Sequence, residues 1–146
     1  MILYLEDLKK GMTFESAKVT LTQDEMIEFA SKYDPQAMHL TEEGGKASFF
    51  GHYLGSGWHT LCTTIRLMVE AKPFGETPLV GLELNEIKFL KPLLPNAELQ
   101  AKAEILDFWP SKTNPKKGYV SLEVITEANG KPIVSQRWVI WCSARG

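Results

Sequence analysis

A chain of 146 residues is long enough to bury a core of its own and is most simply one domain, residues 1–146. Its formal net charge of -2 and pI near 5.9 argue against nucleic acid as the main partner and leave no basic face for a membrane. Apolar residues at 44% and charged residues at 23% are ordinary for a soluble globular protein. The opening MILYLEDLKKG lacks the basic n-region of a secretory signal. The longest apolar helical stretch carries Arg66 and Glu70 and is too short to span a bilayer. The two cysteines, Cys62 and Cys142, match no metal or redox spacing. Both are expected as buried small hydrophobes in a reducing cytoplasm.

Leu3 to Phe14 reads as an irregular lead-in and Glu15 to Leu21 as a short strand. Thr22-Gln23-Asp24-Glu25 is a capping box, with Leu21 and Met26 placed as its hydrophobic staple. Met26, Phe29, Ala30 and Tyr33 follow at i, i+3, i+4 and i+7, the apolar stripe of an amphipathic helix. Pro35 ends that helix, because the residue before a proline is pushed out of the α region. Asp34 therefore sits at a helix end with its side chain freed by the turn. His39 follows five residues later, after Pro35-Gln36-Ala37-Met38.

A short helix is expected over Thr41 to Ser48. Phe49 to Gly57 is a loop with three glycines, and Ser56 is placed to cap a helix running from Gly57 to Ala71. Almost every side of that helix is apolar or small, including Leu61, Ile65 and Met68, which predicts burial all round. Its span of about 22 Å is close to that of a seven-residue strand, so a sheet wrapped round it is expected. Lys72-Pro73-Phe74-Gly75 breaks the helix.

Strands are expected from there on: Leu79 to Leu90, Ala97 to Phe108, Tyr119 to Glu127 and Pro132 to Ser143. Leu99, Ala101, Ala103 and Ile105 share one face of the second of these. Asn129-Gly130 is a two-residue hairpin turn. The last strand carries Val134, Trp138 and Ile140 on one face and Ile133, Val139 and Trp141 on the other. A second subunit is the expected cover for the latter face. Helices first and a strand meander after make an α+β domain.

An acid and a histidine brought together can hold one water molecule and pass protons in both directions. Asp34 and His39 are the candidates. The helix entered at Gly57 offers unpaired N–H groups and the positive end of a dipole, which suit a carbonyl oxygen gaining negative charge. Each piece also has a plain structural role: Asp34 as a turn residue, His39 as a hydrogen-bonded core histidine, Gly57 as a helix start. His52 and His59 do not complete a metal-ligand spacing with Asp34 and His39, so no metal site is expected. Cys62 has no adjacent base and reads as core. Lys112, Lys116 and Lys117 read as a solvated loop.

The stretch DPQAMHL…ASFFGHYLGSGWHT, the apolar helix behind it, and NEIKFLKPLLPNAEL resemble the MaoC-like dehydratases, whose members include the (R)-specific enoyl-CoA hydratases. The resemblance spans nearly the whole chain. It implies a hot-dog fold, an antiparallel sheet wrapped around one long central helix, and a homodimer or a multiple of one. It places the catalytic pair on Asp34 and His39 and the N–H that polarises the thioester carbonyl on Gly57. Ser56, Trp58, Tyr33 and Met38 are expected to line the substrate. Many hydratases of this group read D-x-N-P-x-H where this chain has Asp34-Pro35-Gln36-Ala37-Met38-His39. Some also carry histidine where this chain has Ser56, and a serine two turns into the helix where it has Ile65.

The expected activity is a cytoplasmic hydro-lyase of the enoyl-CoA hydratase or 3-hydroxyacyl-CoA dehydratase type, without metal or redox cofactor. Its substrate would be a coenzyme A thioester in preference to one on acyl carrier protein. A hot-dog thioesterase and a non-catalytic acyl-thioester-binding protein are the rival readings.

Overall fold

The structure, a computed structural model, describes all 146 residues. A turn of 3-10 helix at Leu5–Asp7 leads into strand β1, Thr13–Thr20. Helices α1 (Gln23–Tyr33), α2 (Ala37–Leu40), α3 (Glu42–Ala47) and α4 (Gly57–Ala71) follow. The remainder is strand: β2 (Gly81–Phe89), β3 (Glu98–Pro110), β4 (Lys117–Ala128) and β5 (Lys131–Ser143). The five strands form one antiparallel sheet in the order β1-β3-β4-β5-β2, with β1 and β2 as its edges.

Local chemistry sets most of the boundaries. At α1 the Thr22 hydroxyl accepts the Glu25 N–H and the Glu25 carboxylate accepts the Thr22 N–H, closing both arms of the capping box. Leu21 and Met26 are both buried in one cluster beneath it. The β4–β5 hairpin turns at Asn129 and Gly130, whose φ values are +50° and +80°, the left-handed conformation that an Asn-Gly pair accepts at little cost. Within β1 the ladder slips between Glu15 and Lys18. There the buried Ser16 hydroxyl accepts the Ala101 N–H, replacing the ladder bond that the bulge removes.

The inward side chains of the sheet alternate as a half-buried meander requires. Ala101, Ala103 and Ile105 of β3, Val120, Leu122 and Val124 of β4, and Trp138 and Ile140 of β5 close on Leu67 and Met68 of α4. A second cluster joins Leu21, Met26 and Tyr53 to Leu93, Leu99 and Val134. It forms the floor under the N-terminus of α4.

Three expectations are corrected. First, α4 is not buried all round: Met68 is fully buried and Leu61 half-buried, but Ile65 is 40% exposed, and Trp58, Val69 and Cys62 are exposed as well. The sheet covers only the flank that carries Thr60, Thr64, Leu67 and Met68. Second, Cys62 belongs to the open flank and is not a core residue; only Cys142 is buried. Third, the outer face of β5 is partly covered by the chain itself. Trp141 packs on Tyr119, Tyr119 stacks on Trp109, and the Lys117 ammonium sits over the Trp141 ring. The bare apolar surface lies instead on β2, where Leu82, Leu84 and Phe89 are all exposed, and on the neighbouring flank of α4.

Candidate active site

The turn forced by Pro35 does what the sequence requires of it. Asp34 closes α1, with its N–H on the Ala30 carbonyl and φ at -153°, so its side chain leaves the helix direction. One further helical turn, α2, carries His39 back towards it. The two side chains meet, with His39 Nε2 3.4 Å from Asp34 Oδ2.

The rest of the loop holds each ring and oxygen in place. His39 Nδ1 lies 2.8 Å from the Leu54 carbonyl. A carbonyl can only accept, so Nδ1 carries a hydrogen, and Nε2 is the nitrogen that faces Asp34. The Tyr53 hydroxyl donates to the His39 carbonyl at 2.9 Å, fixing the backbone of the same turn. Asp34 receives one donor on each oxygen: the Ser56 hydroxyl on Oδ2 and the Gln36 amide on Oδ1, both at 2.7 Å. Partial burial pushes the Asp34 carboxyl up, but the bonds from Ser56 and Gln36, helped by the adjacent His39, outweigh it and hold its pKa below the ordinary value of 3.8. Asp34 is therefore a carboxylate at neutral pH.

Ser56 also caps α4, its hydroxyl accepting the Trp58 N–H at 3.2 Å. The N–H before it, that of Gly57, has no acceptor within the chain and stands at the positive end of a 15-residue helix. A Cβ at Gly57 would stand 2.6 Å from the Phe89 ring, which would have to move to admit it. These groups open on a cleft of about 330 Å³, whose wall includes Asp34, Met38, His39, Gly57, Trp58 and Phe89.

The expected site residues thus fall into two sets. Asp34, His39, Gly57, Trp58 and Met38 share the cleft. Ser56 does not line it; the side chain is fully buried behind Asp34 and acts as a strut. Tyr33 does not line it either, because the stripe of α1 runs past the edge of the fold at its last residue. Tyr33 is 71% exposed and leans on Phe29. Gln36 and the Leu54 carbonyl were not legible as site groups. Gln36 stands two residues after the acid, but its reach to Asp34 exists only because of the turn at Pro35.

The other histidines are engaged elsewhere. His52 Nδ1 lies against the Tyr53 carbonyl, and His59 stacks face to face on Phe29. No three His, Cys, Asp or Glu side chains converge as a metal site would need. In the β3–β4 loop, Lys116 donates to the Arg145 carbonyl. No helix is long and apolar enough to cross a membrane.

Comparison with known proteins gives a consistent picture. The model of the MaoC like domain family matches residues 7–128. YdeM of Bacillus subtilis (strain 168), described as uncharacterised, is 32% identical over 108 residues, covering 74% of this chain and 77% of YdeM. The crystal structure of a MaoC-like dehydratase from Rhodospirillum rubrum superposes with a TM-score of 0.92 at 32% identity, covering 99% of both chains. The unliganded R-hydratase PhaJ1 from Pseudomonas aeruginosa shares the fold at a TM-score of 0.71 and 16% identity, over 99% of this chain and 88% of its own. A Mycobacterium tuberculosis protein described as having a double hotdog fold superposes with a TM-score of 0.75 at 15% identity, over 97% of this chain and 44% of its own. The antiparallel sheet packed on one flank of α4 is therefore that of a hot-dog fold.

Proposed function

The chain belongs to the MaoC-like family, and from that premise we propose that it is a hydro-lyase acting on an acyl thioester, with Asp34 and His39 as its acid–base pair. The observation that carries this reading is the 3.4 Å approach of His39 Nε2 to Asp34 Oδ2 in a cleft headed by the free Gly57 N–H. A water bound between the pair gives one hydrogen to the Nε2 lone pair and one to the carboxylate. Transfer of a proton to this pair lets the water oxygen bond to the β-carbon of an enoyl thioester. The double-bond electrons move onto the thioester oxygen, where the Gly57 N–H and the dipole of α4 meet the new charge. The enolate then takes that proton back from the pair at its α-carbon, leaving a 3-hydroxyacyl thioester and the pair as it began. Dehydration is the same path reversed. The chemistry draws on no metal or redox group, and the thioester carrier is coenzyme A rather than acyl carrier protein.

The test is turnover on a panel of enoyl-CoA thioesters, following enoyl absorbance and free thiol together. Loss of the enoyl signal without thiol release is expected, with the (R)-3-hydroxyacyl product. Thiol release from saturated and unsaturated substrates alike would replace this reading with a thioesterase. Binding without either change would leave an acyl-thioester carrier.

The working assembly is a homodimer or a multiple of one. Trp58, Ile65 and Val69 of α4 and Leu82 and Leu84 of β2 leave apolar surface bare beside an unpaired strand edge, which a second copy would cover. Sedimentation at micromolar concentration is expected to show no stable monomer.

A further inference from the structure

The Phe89 ring stands beside the spot at which the proposed substrate would be polarised. A Cβ built on Gly57 would meet three of its ring carbons at 2.6, 2.8 and 3.3 Å, so one edge of the ring packs on the bare Cα of that glycine. In a helix the Cα–Cβ direction leans towards the N-terminus, the end at which the first N–H groups stand open. The ring and the free Gly57 N–H therefore share one side of the start of α4, and both residues belong to the wall of the cleft. An oxygen accepting from that N–H, at about 2.9 Å from the nitrogen, has the ring as its neighbour.

The backbone that carries the ring is fixed on both sides. Phe89 ends β2 opposite Val134 of β5. The N–H groups of Leu90 and Lys91 both donate to the Ile133 carbonyl, and the Gly55 N–H donates to the Leu93 carbonyl at 2.8 Å. This segment is thus tied to the sheet on one side and to the lead-in of α4 on the other. The side chain keeps its inner edge on Gly57 and is 54% exposed. It stands between bulk water and the start of the helix.

A polarised thioester is open to a second reaction. The N–H and dipole that steady an enolate oxygen also make the carbonyl carbon a better target for water. Water attacking there forms a C–O bond, the C–S bond breaks, and its electron pair leaves on sulfur, which takes up a proton from the attacking water. The products are a carboxylic acid and a free thiol. Hydration needs one water at the β-carbon and none at the carbonyl carbon. Resting on the acyl-thioester reading, we propose that Phe89 confines the reaction to hydration, its ring screening the thioester held at Gly57 from water entering at the mouth of the cleft. Closing a reacting group off from solvent suppresses side reactions of this kind. Truncating Phe89 opens the space beside Gly57 and leaves Asp34, His39 and the N–H in place.

The experiment follows enoyl absorbance and free thiol together on crotonyl-CoA, and reads the thiol released per enoyl consumed. That ratio is insensitive to a general loss of activity. Phe89→Ala and Phe89→Leu are compared with the native protein, each first shown to be folded and assembled as it is; if one is not, the other decides. Phe89→Tyr, which keeps the ring, is the control. The native protein and Phe89→Tyr are expected to release thiol no faster than a protein-free blank. Phe89→Ala should exceed that rate by about tenfold or more, with Phe89→Leu in between. A ratio unmoved by the substitutions overturns the proposal, and the ring then belongs to the apolar surface that a second copy would cover. Failure of the hydro-lyase reading shows in the native protein alone. If thiol release is its main reaction, both readings fall. If it changes neither signal, thiol release from butyryl-CoA and crotonyl-CoA decides: release by Phe89→Ala but not by the native protein upholds the screen without the hydratase, and release by neither overturns it.

Discussion

The Ser56 hydroxyl donates to Oδ2 of Asp34 at 2.7 Å while accepting the Trp58 N–H, so one buried side chain caps α4 and braces the proposed catalytic acid. It thereby ties the acid to the helix whose first free N–H faces the cleft.

Ser56→Ala should therefore act on both. Losing an N-cap is expected to cost roughly 1 kcal/mol of stability. Losing a donor to the ionised form moves the Asp34 pKa upward, since that donor is among the causes that lower it. Asp34 then becomes protonated, and activity falls, at a higher pH than in the native protein. The acid limb of the kcat/KM profile should shift upward, with Gln36→Ala shifting it the same way through Oδ1. Linkage follows the same sign. The depressed Asp34 pKa contributes stability that is present above about 3.8 and lost as pH falls through the lower folded value. Acid unfolding of Ser56→Ala should show less of that dependence. An unmoved acid limb would make Ser56 a helix cap only.

The two flanks of α4 should respond differently to truncation. Met68 is fully buried against the sheet, whereas Ile65 is 40% exposed. Met68→Ala should cost about 2–5 kcal/mol, because the cavity left behind cannot be filled by water or relaxation. Ile65→Ala should cost much less in the unfolding of a protomer and should act chiefly on dimer dissociation. Chemical unfolding at several protein concentrations separates the two effects.

These flanks also mark where a one-chain reading of the sequence stops. The capping box at Thr22, the Asn129-Gly130 turn and the alternation from Leu99 to Ile105 are local patterns, and each appears in the structure where its residues stand. Asp34 and His39 were legible as candidates on either side of the turn at Pro35, but their spacing left each a plain structural role and the family resemblance is what joined them. What periodicity does not contain is which neighbour covers an apolar face. Ile65 and Met68 look alike as letters, yet only one faces the chain's own sheet. Tyr33 continues a perfect stripe but has no sheet left beneath it. Gln36 carries no signal of its own, since its contact with Asp34 is a product of backbone geometry.

Gly57 allows the oxyanion role to be separated from mere space. Both Gly57→Ala and Gly57→Pro place an atom against the Phe89 ring, which is 54% exposed and free to swing aside. Proline is tolerated in the first turn of a helix, so neither change should unfold α4. Only proline removes the N–H. If that group stabilises the thioester oxygen in the transition state, Gly57→Pro should fall below Gly57→Ala by about 10²–10³-fold in kcat. Equal rates in the two variants would mean that another donor meets the charge.

The acid and the histidine are tested most directly together. Asp34→Asn keeps the shape of the side chain and most of its hydrogen bonds but removes the proton acceptor. General acid–base groups contribute about 10²–10⁴-fold, so kcat should drop on the order of 10²-fold or more. KM should change little, because the thioester is held mainly by the cleft wall and α4. His39→Ala should be similarly damaging, since it removes the only ring nitrogen near Asp34 Oδ2. The pair acts on one water, so the double variant should lose far less than the product of the single losses. Folding must be checked first: His39 is 4% exposed and bonded to the Leu54 carbonyl, so His39→Ala also leaves that carbonyl unpaired. His39→Gln, with an amide able to reach the same acceptor, is the control for that loss. A folded Asp34→Asn protein with near-native turnover would remove Asp34 from the chemistry, and the contact with His39 would then be a structural hinge between α1 and α2.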